Sequence, residues 1–286
     1  MYDAANGGDI ILLQDLFAQW DLLASQTPKS KLAKSGRHRK STFGRVLRGA
    51  VESGDLNIVV YLLDVRGVEI HQIPVTIAVN RNHWNILRAF IDHGWDINKP
   101  TAPGDFPILG YYVDNVETAR GLLEAGANPN LARADDEDIS IPNEAAMNGT
   151  VEVLKLMREY GVDFNKTDAL NFAAGDDERA GNRIPVMAYL IDEVGLSINR
   201  LDYANAEEAA GVHERWQNGT ALHHAVLGKA TENLEYLLAR GADRNVKNLR
   251  GETPLDLARK NEWDEGIRLL ESWPQYTLHL PELILE

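Results

Sequence analysis

The sequence predicts an all-α protein assembled from repeated helix-turn-helix units. Three observations carry that prediction. A glycine followed four residues later by asparagine recurs along the chain, an amphipathic helical pattern precedes each such glycine, and a shorter alanine-rich segment lies upstream of each amphipathic stretch. The periodicity is one supersecondary unit long, which is how a stacked repeat protein reads in sequence.

The exit signal occurs as Gly94-Trp95-Asp96-Ile97-Asn98, Gly126-Ala127-Asn128-Pro129-Asn130, Gly161-Val162-Asp163-Phe164-Asn165, Gly195-Leu196-Ser197-Ile198-Asn199 and Gly241-Ala242-Asp243-Arg244-Asn245. Gly67 opens a weaker copy that ends in His71, and the six glycines are spaced 27, 32, 35, 34 and 46 residues apart. Glycine just past a helix C-terminus takes the left-handed conformation without a Cβ clash. The Asx residue that follows can bond backbone amides and set up the next turn. Before the glycines, Ile86–His93, Val151–Tyr160 and Leu234–Arg240 show apolar residues at helical spacing. Upstream, Ala50-Val51-Glu52-Ser53-Gly54 and Ala145-Ala146-Met147-Asn148-Gly149 are short and small-sided, which lets two antiparallel helices approach closely. Two helix starts are explicit: Gly219-Thr220-Ala221-Leu222-His223-His224-Ala225 and Gly251-Glu252-Thr253-Pro254-Leu255-Asp256-Leu257-Ala258. Threonine caps, and proline sits in the first turn, where a missing N–H costs nothing.

These residues resemble the ankyrin repeat, with its Thr-Pro-Leu-His start, paired alanines, Leu-Leu pair and Gly-Ala-Asx-x-Asn exit. The stretch Glu232–Asn245 is nearest to that pattern, and no copy holds an intact Thr-Pro-Leu-His. The resemblance covers almost the whole chain. It implies an ankyrin-repeat-like α-solenoid of about eight helix-turn-helix units, with short β-hairpin fingers, running over 1–286. Stability then comes from nearest-neighbour stacking. The first unit would contain Ala4 and Ala5, and the last would end near Leu269-Leu270, with Pro274 where a glycine would stand. The resemblance also implies a non-catalytic role: recognition of a protein partner through a concave groove and finger loops, with no cofactor and no metal.

Several segments depart from the repeat. Trp20 stands at the first glycine position, and 25–43 forms an inserted basic loop before the next helix. A second insertion enlarges the finger over 200–218, and a third, Gly175–Gly181, lies between the two helices of its unit. The Gly67–Gly94 unit is short by about six residues, which predicts a stunted finger. The apolar tail 274–286 is expected to cap the final repeat, with dimerisation or partner binding as its other use.

Composition narrows the chemistry. The chain has 286 residues, 29 Lys and Arg against 43 Asp and Glu, a net charge of −14 and no cysteine. A disulfide scaffold, a thiol nucleophile, a Cys-ligated zinc and an iron–sulfur cluster are therefore excluded. Eight of the 29 basic residues lie between Lys29 and Arg48 with no acid among them, so the remainder carries −22. The basic loop, with Lys34, Arg37, Arg39 and Lys40 at its centre, reads first as a solvated segment. Its sharper readings are a nuclear localisation signal, an acidic-partner contact or a phosphorylation site at Ser41 or Thr42. Nucleic acid is disfavoured, because the run has a single aromatic, Phe43, and the surrounding field repels phosphate. The acidic run Asp135–Asp138 reads as a solvated finger loop. No basic region precedes the short apolar run Ile10–Leu13, and no stretch approaches the roughly 18 apolar residues of a membrane helix, so the expected setting is intracellular, cytoplasmic or nuclear.

No phosphate loop, His-Glu-x-x-His or Gly-x-Ser-x-Gly occurs. His223 holds the family's structural histidine position. His224 follows it at a groove-facing position, and His213, Glu214 and Trp216 lie on the inserted finger that leads there. These four, His213, Glu214, Trp216 and His224, form the alternative site for binding or converting a small molecule. Tyr111 and Tyr112 occupy positions where the family prefers alanine, and Trp95 replaces the alanine after a turn glycine. Tyr111, Tyr112, Trp216, His224 and Trp95 are therefore the candidate partner contacts, since Trp and Tyr bury much area at small entropy cost. For Trp95 the competing reading is a plug between repeats.

Overall fold

The computed structural model describes residues 1–26, 42–100, 102, 104–133, 139–175, 181–202 and 219–274. Among them, eight helix pairs follow one another. They are α1 (Tyr2–Asn6) with α2 (Ile10–Gln26), α3 (42–53) with α4 (Leu56–Asp64), and α5 (Gln72–Asn80) with α6 (Trp84–Asp92). A 3-10 turn, Ile108–Tyr112, then precedes α7 (Val116–Glu124), and α8 (Ile141–Asn148) precedes α9 (Val151–Glu159). The last three pairs are α10 (Ala169–Ala174) with α11 (Ile184–Ala188), α12 (Ala221–Leu227) with α13 (Thr231–Ala239), and α14 (Pro254–Lys260) with α15 (Asp264–Ser272). α11 continues as one π-helical stretch, Tyr189–Glu193. The described residues divide into two compact units, one of Met1–Thr101 with Arg120–Ala127 and one of Ala102–Ala119 with Asn128–Glu286.

The helix ends follow the local chemistry. Asp55, Ser140 and Thr150 cap α4, α8 and α9 by accepting from the N–H three residues on. Thr253 forms a capping box with Asp256, and Pro254 opens α14. At the C-termini, Gly67, Gly94, Gly126, Gly161, Gly195 and Gly241 all have positive φ, from 58° to 101°. At Gly126 an added Cβ would meet nothing within 4 Å, so the conformation demands glycine and the space does not. Gly126→Ala should therefore destabilise the first unit by about 1–2 kcal/mol through backbone strain alone. A urea midpoint unchanged from wild type would contradict that account. Trp20 supplies the natural contrast: with no glycine there, α2 runs on to Gln26 and the helix takes the start of the 25–43 segment.

The turns hold themselves by side chains. Asp96, Asn128, Asp163 and Asp243 each accept, through Oδ1, the N–H of the asparagine two residues on. No β-ladder forms among the described residues; a single antiparallel bridge, Ala132 with Ser140, marks where a hairpin was expected. The Asx bonds use the local donors that a ladder would need, and the shortest connection, 65–71, leaves too little chain for paired strands.

Successive pairs are stitched by buried polar side chains. At the start of a second helix, His83 Nδ1 lies 3.0 Å from the Val51 carbonyl, Arg183 donates to the Ala146 and Gly149 carbonyls at 2.8 and 2.7 Å, and Asn233 donates to Ala174 at 3.1 Å. Each thereby bonds a carbonyl near the end of the preceding pair's first helix, where the regular helical bonding runs out; the Val51 carbonyl also accepts the Gly54 N–H. The cores between pairs are apolar, with Phe17, Leu62, Phe90, Leu122 and Phe164 fully buried. Trp84 packs against Gly121, where any Cβ would stand 2.3 Å from the indole. Trp263, 8% exposed, packs in the same way over Gly266. No helix among the described residues is long and apolar enough to cross a membrane.

Candidate interaction surface

The fourth unit differs from the others in its first helix, which is reduced to a 3-10 turn. Gly110 lies so close to Phe106 that a Cβ would stand 2.6 Å from its side chain. This tight turn carries Tyr111 outward: it is 50% exposed and meets the edge of Phe106 with ring centroids 6.2 Å apart at 89°. Tyr112 is half-buried, and burial raises its phenol above the usual range. The alanine positions of the repeat thus hold one protruding and one half-covered aromatic ring.

His223 and His224 separate cleanly in role. His223 is fully buried on α12. Its Nδ1 accepts the Thr220 N–H at 3.0 Å, which leaves the Nε2–H to donate to the Glu252 carbonyl at 3.1 Å. It is thereby a cap and a link to the next unit, as its position in the repeat implied. His224 is nearly covered and points the other way. Its Nε2 sits 3.1 and 2.9 Å from the two carboxylate oxygens of Asp202, and its ring lies 5.9 Å from that of Phe172.

Asp202 lies within the 200–218 insertion, where no motif marks it. Its side chain is 4% exposed and collects three neighbours. Asn171 Nδ2 donates to Oδ1 at 2.6 Å, the Gly219 N–H donates to Oδ2 at 2.9 Å, and His224 faces both oxygens. The Asp202 N–H in turn donates to the Gly219 carbonyl at 2.9 Å, so the two residues flanking 203–218 are tied together. Asn171 holds, in its unit, the place that His223 holds in the next, and Asn143 does so one unit earlier by accepting the Asp168 N–H at 3.1 Å. A polar residue set among the alanines of a first helix is the signal that could have marked all three.

The other long insertion also leaves from a packed base. Phe43, 6% exposed, meets Phe17 edge-on at 5.2 Å, and the Arg66 guanidinium lies 4.3 Å from the Phe17 centroid while pairing with Asp21. Phe43 is therefore a core residue and offers no stacking face. Lys34, Arg37, Arg39 and Lys40 lie outside the described residues, as do His213, Glu214, Trp216, the acidic run Asp135–Asp138 and the tail beyond Pro274. No group of three or more metal-ligating side chains occurs among the described residues.

In the first unit, the short connection 65–71 borders a recess of about 920 Å3. Leu63, Val68, Ile70, Trp95 and Pro100 supply its apolar lining, and Glu69, His71, His93, Asp96 and Lys99 its polar lining. The residue after a turn glycine is otherwise buried, as at Val68, Ala127, Val162, Leu196 and Ala242. Trp95 is only half-buried, because the indole is too large for that niche. Both ring nitrogens of His93 face acceptors: Nδ1 lies 2.6 Å from the Ala89 carbonyl and Nε2 2.8 Å from the Asp64 carboxylate. The Asp64 carboxylate foremost, then the Ala89 carbonyl, raise the imidazole's pKa.

Helix pairs joined by glycine turns, capped by threonine and linked through buried polar residues define an ankyrin-repeat fold. A family model of ankyrin repeats matches residues 212–258. The ankyrin repeat domain of human ASB11 superposes with a TM-score of 0.52 at 23% identity, covering 80% of this chain and 98% of that one. The ankyrin repeat domain of Bcl-3, of the IκB family, gives 0.51 at 21%, covering 79% and 97%. Alpha-latrotoxin-Lg1a of Latrodectus geometricus is 27% identical over 229 residues, which is 78% of this chain and 15% of that protein. The palmitoyltransferase ZDHHC17 of Danio rerio is 46% identical over 52 residues, 18% of this chain and 8% of that protein. The chain thus spans only a small part of the length of the curated relatives it matches. The chain has the ankyrin-repeat fold, and its residues 212–258 match the model of the ankyrin repeats.

Proposed function

We propose that the chain is a non-catalytic scaffold that recognises a protein partner through its first-helix faces and finger turns. Tyr111, Tyr112, Trp95, His224 and Trp216 are the assigned contacts. The observation that supports this best is Tyr111: a large aromatic side chain, half exposed, fixed edge-on by Phe106 on a turn that glycine tightens. A preset aromatic side chain loses little entropy on binding, which is why such residues anchor interfaces. The test is affinity purification of the full chain with mass spectrometry, followed by titration of the recovered partner. Tyr111→Ala should weaken that complex by about tenfold or more, with the circular-dichroism unfolding curve unchanged. Undiminished binding in Tyr111→Ala, Tyr112→Ala and Trp216→Ala together would refute this placement. The enzymatic alternative around His213, Glu214, Trp216 and His224 is the weaker reading, since Asp202 occupies the Nε2 edge of His224 and leaves only Nδ1 for a substrate.

A further inference from the structure

The recess in the first unit has an origin in the sequence and a chemistry of its own. The connection between α4 and α5 is 65–71, whereas the one between α13 and α14 is 240–253. Shortening one finger beside longer ones removes the chain that would fill the space next to Trp95. The recess thus lies beside the shorter connection, and Trp95 lines it.

We propose that this recess is a docking pocket for a peptide segment of a partner protein, which lays a large aliphatic side chain against Trp95 and sets a lysine or arginine beside it. The proposal rests on the scaffold reading and adds the chemistry of the partner. The volume, about 920 Å3, stands at the upper end of the roughly 300–1,000 Å3 that single small ligands fill, which suits several side chains of a short peptide. Leu63 and Val68 are buried beneath it, and with Ile70 and Trp95 they give an apolar floor. The charge around that floor favours a cation. Glu69 and Asp96 line the recess, and Asp64 stands behind His93, so the positive charge that His93 gains on protonation is already paired. Asp96 accepts only a neutral backbone N–H from Asn98, which orients the carboxylate and leaves its charge in place. Among the described residues, Lys99 is the single lysine or arginine of the lining, in a chain of net charge −14. A cation beside the indole also gains from its ring face.

A random heptapeptide library displayed on phage, panned on the full chain, provides the probe. An enriched sequence, synthesised with a fluorophore, is then titrated by anisotropy. The selected peptides should share an aliphatic residue next to Lys or Arg. Trp95→Ala should weaken binding by about tenfold, and Glu69→Gln with Asp96→Asn by several-fold. Trp95→Phe, which keeps an aromatic ring in the niche, should fall between wild type and Trp95→Ala, and this separates lost contact from lost folding. Peptides that bind Trp95→Ala as well as wild type, peptides without a basic residue, or no enrichment at all would overturn the proposal. Peptides that lose affinity in Tyr111→Ala and not in Trp95→Ala would overturn it while leaving the scaffold reading intact.

Discussion

His223→Ala should destabilise the helix pairs α12–α13 and α14–α15 by about 3 kcal/mol. The truncation leaves the buried Thr220 N–H without its acceptor, removes one of the two donors to the Glu252 carbonyl, which keeps the Asn248 N–H, and opens a void beneath α12. The two broken bonds belong to different units, so the loss falls on the stacking between α12–α13 and α14–α15 as well as on the cap. In a repeat array such a loss need not unfold the whole chain. Hydrogen exchange is the suitable measurement: amides of α12 and α14 should exchange much faster while those of α8 and α9 change little. His223→Asn should recover part of the effect, because Asn171, at the same position of its helix, donates to the corresponding carbonyl, that of Gly219. Uniform exchange rates in wild type and His223→Ala would refute the assignment.

The same histidine gives the chain a pH dependence of defined sign. Burial, foremost, lowers the pKa of the His223 imidazole, with the Glu252 carbonyl opposing it and His224 adding to it. Proton uptake at Nδ1 would also break the bond from the Thr220 N–H. In the unfolded chain the group titrates near its ordinary value of about 6.5. Below that pH the unfolded state binds a proton that the folded state resists, so stability falls as pH drops from about 6.5 toward the lower folded value. His223→Asn should flatten that part of the stability curve.

What the sequence disclosed is what local backbone chemistry encodes. The turn glycines were legible because five of the six stand a fixed distance before an asparagine, and all six have the left-handed φ. The boundaries were least legible where that code lapses. Trp20 stands in for a turn glycine, and α2 simply continues beyond it to Gln26. The hairpin fingers were inherited from the resemblance and, among the described residues, are reduced to Asx turns and one bridge, since each turn spends its donors locally. Of the candidate contacts, Tyr111 stands exposed and Trp95 lines a recess; the sequence marked both as large residues at alanine positions, with a plug between repeats as the competing reading for Trp95. The 27-residue spacing from Gly67 to Gly94 marked a short finger, and the recess beside it was not legible. Asp202 was illegible because its partners Asn171, Gly219 and His224 lie 31, 17 and 22 residues away, brought together only by stacking of units.

That cluster sets the second large effect. Asp202→Asn, although nearly isosteric, should cost about 3 kcal/mol. The reason lies in the direction of the surrounding bonds. Asn171 Nδ2 and the Gly219 N–H both point donors at the carboxylate, and His224 Nε2 approaches both of its oxygens. An amide offers one acceptor oxygen and turns its NH2 toward a donor, so at least one buried polar group loses its partner. Asp202→Ala should do at least as much damage, and the near equality of the two variants is the signature to look for. If the carboxylate acted only by filling space, Asp202→Asn would be neutral and Asp202→Ala alone would be harmful. Because Asp202 and Gly219 flank 203–218, the loss should also register at the insertion itself: limited proteolysis within 203–218 should quicken in Asp202→Asn, while cleavage within 27–41, which leaves from the Phe17–Phe43 base, should keep its wild-type rate. Equal acceleration at both insertions would mean that Asp202 supports the fold at large and does not act as the clamp of its own insertion.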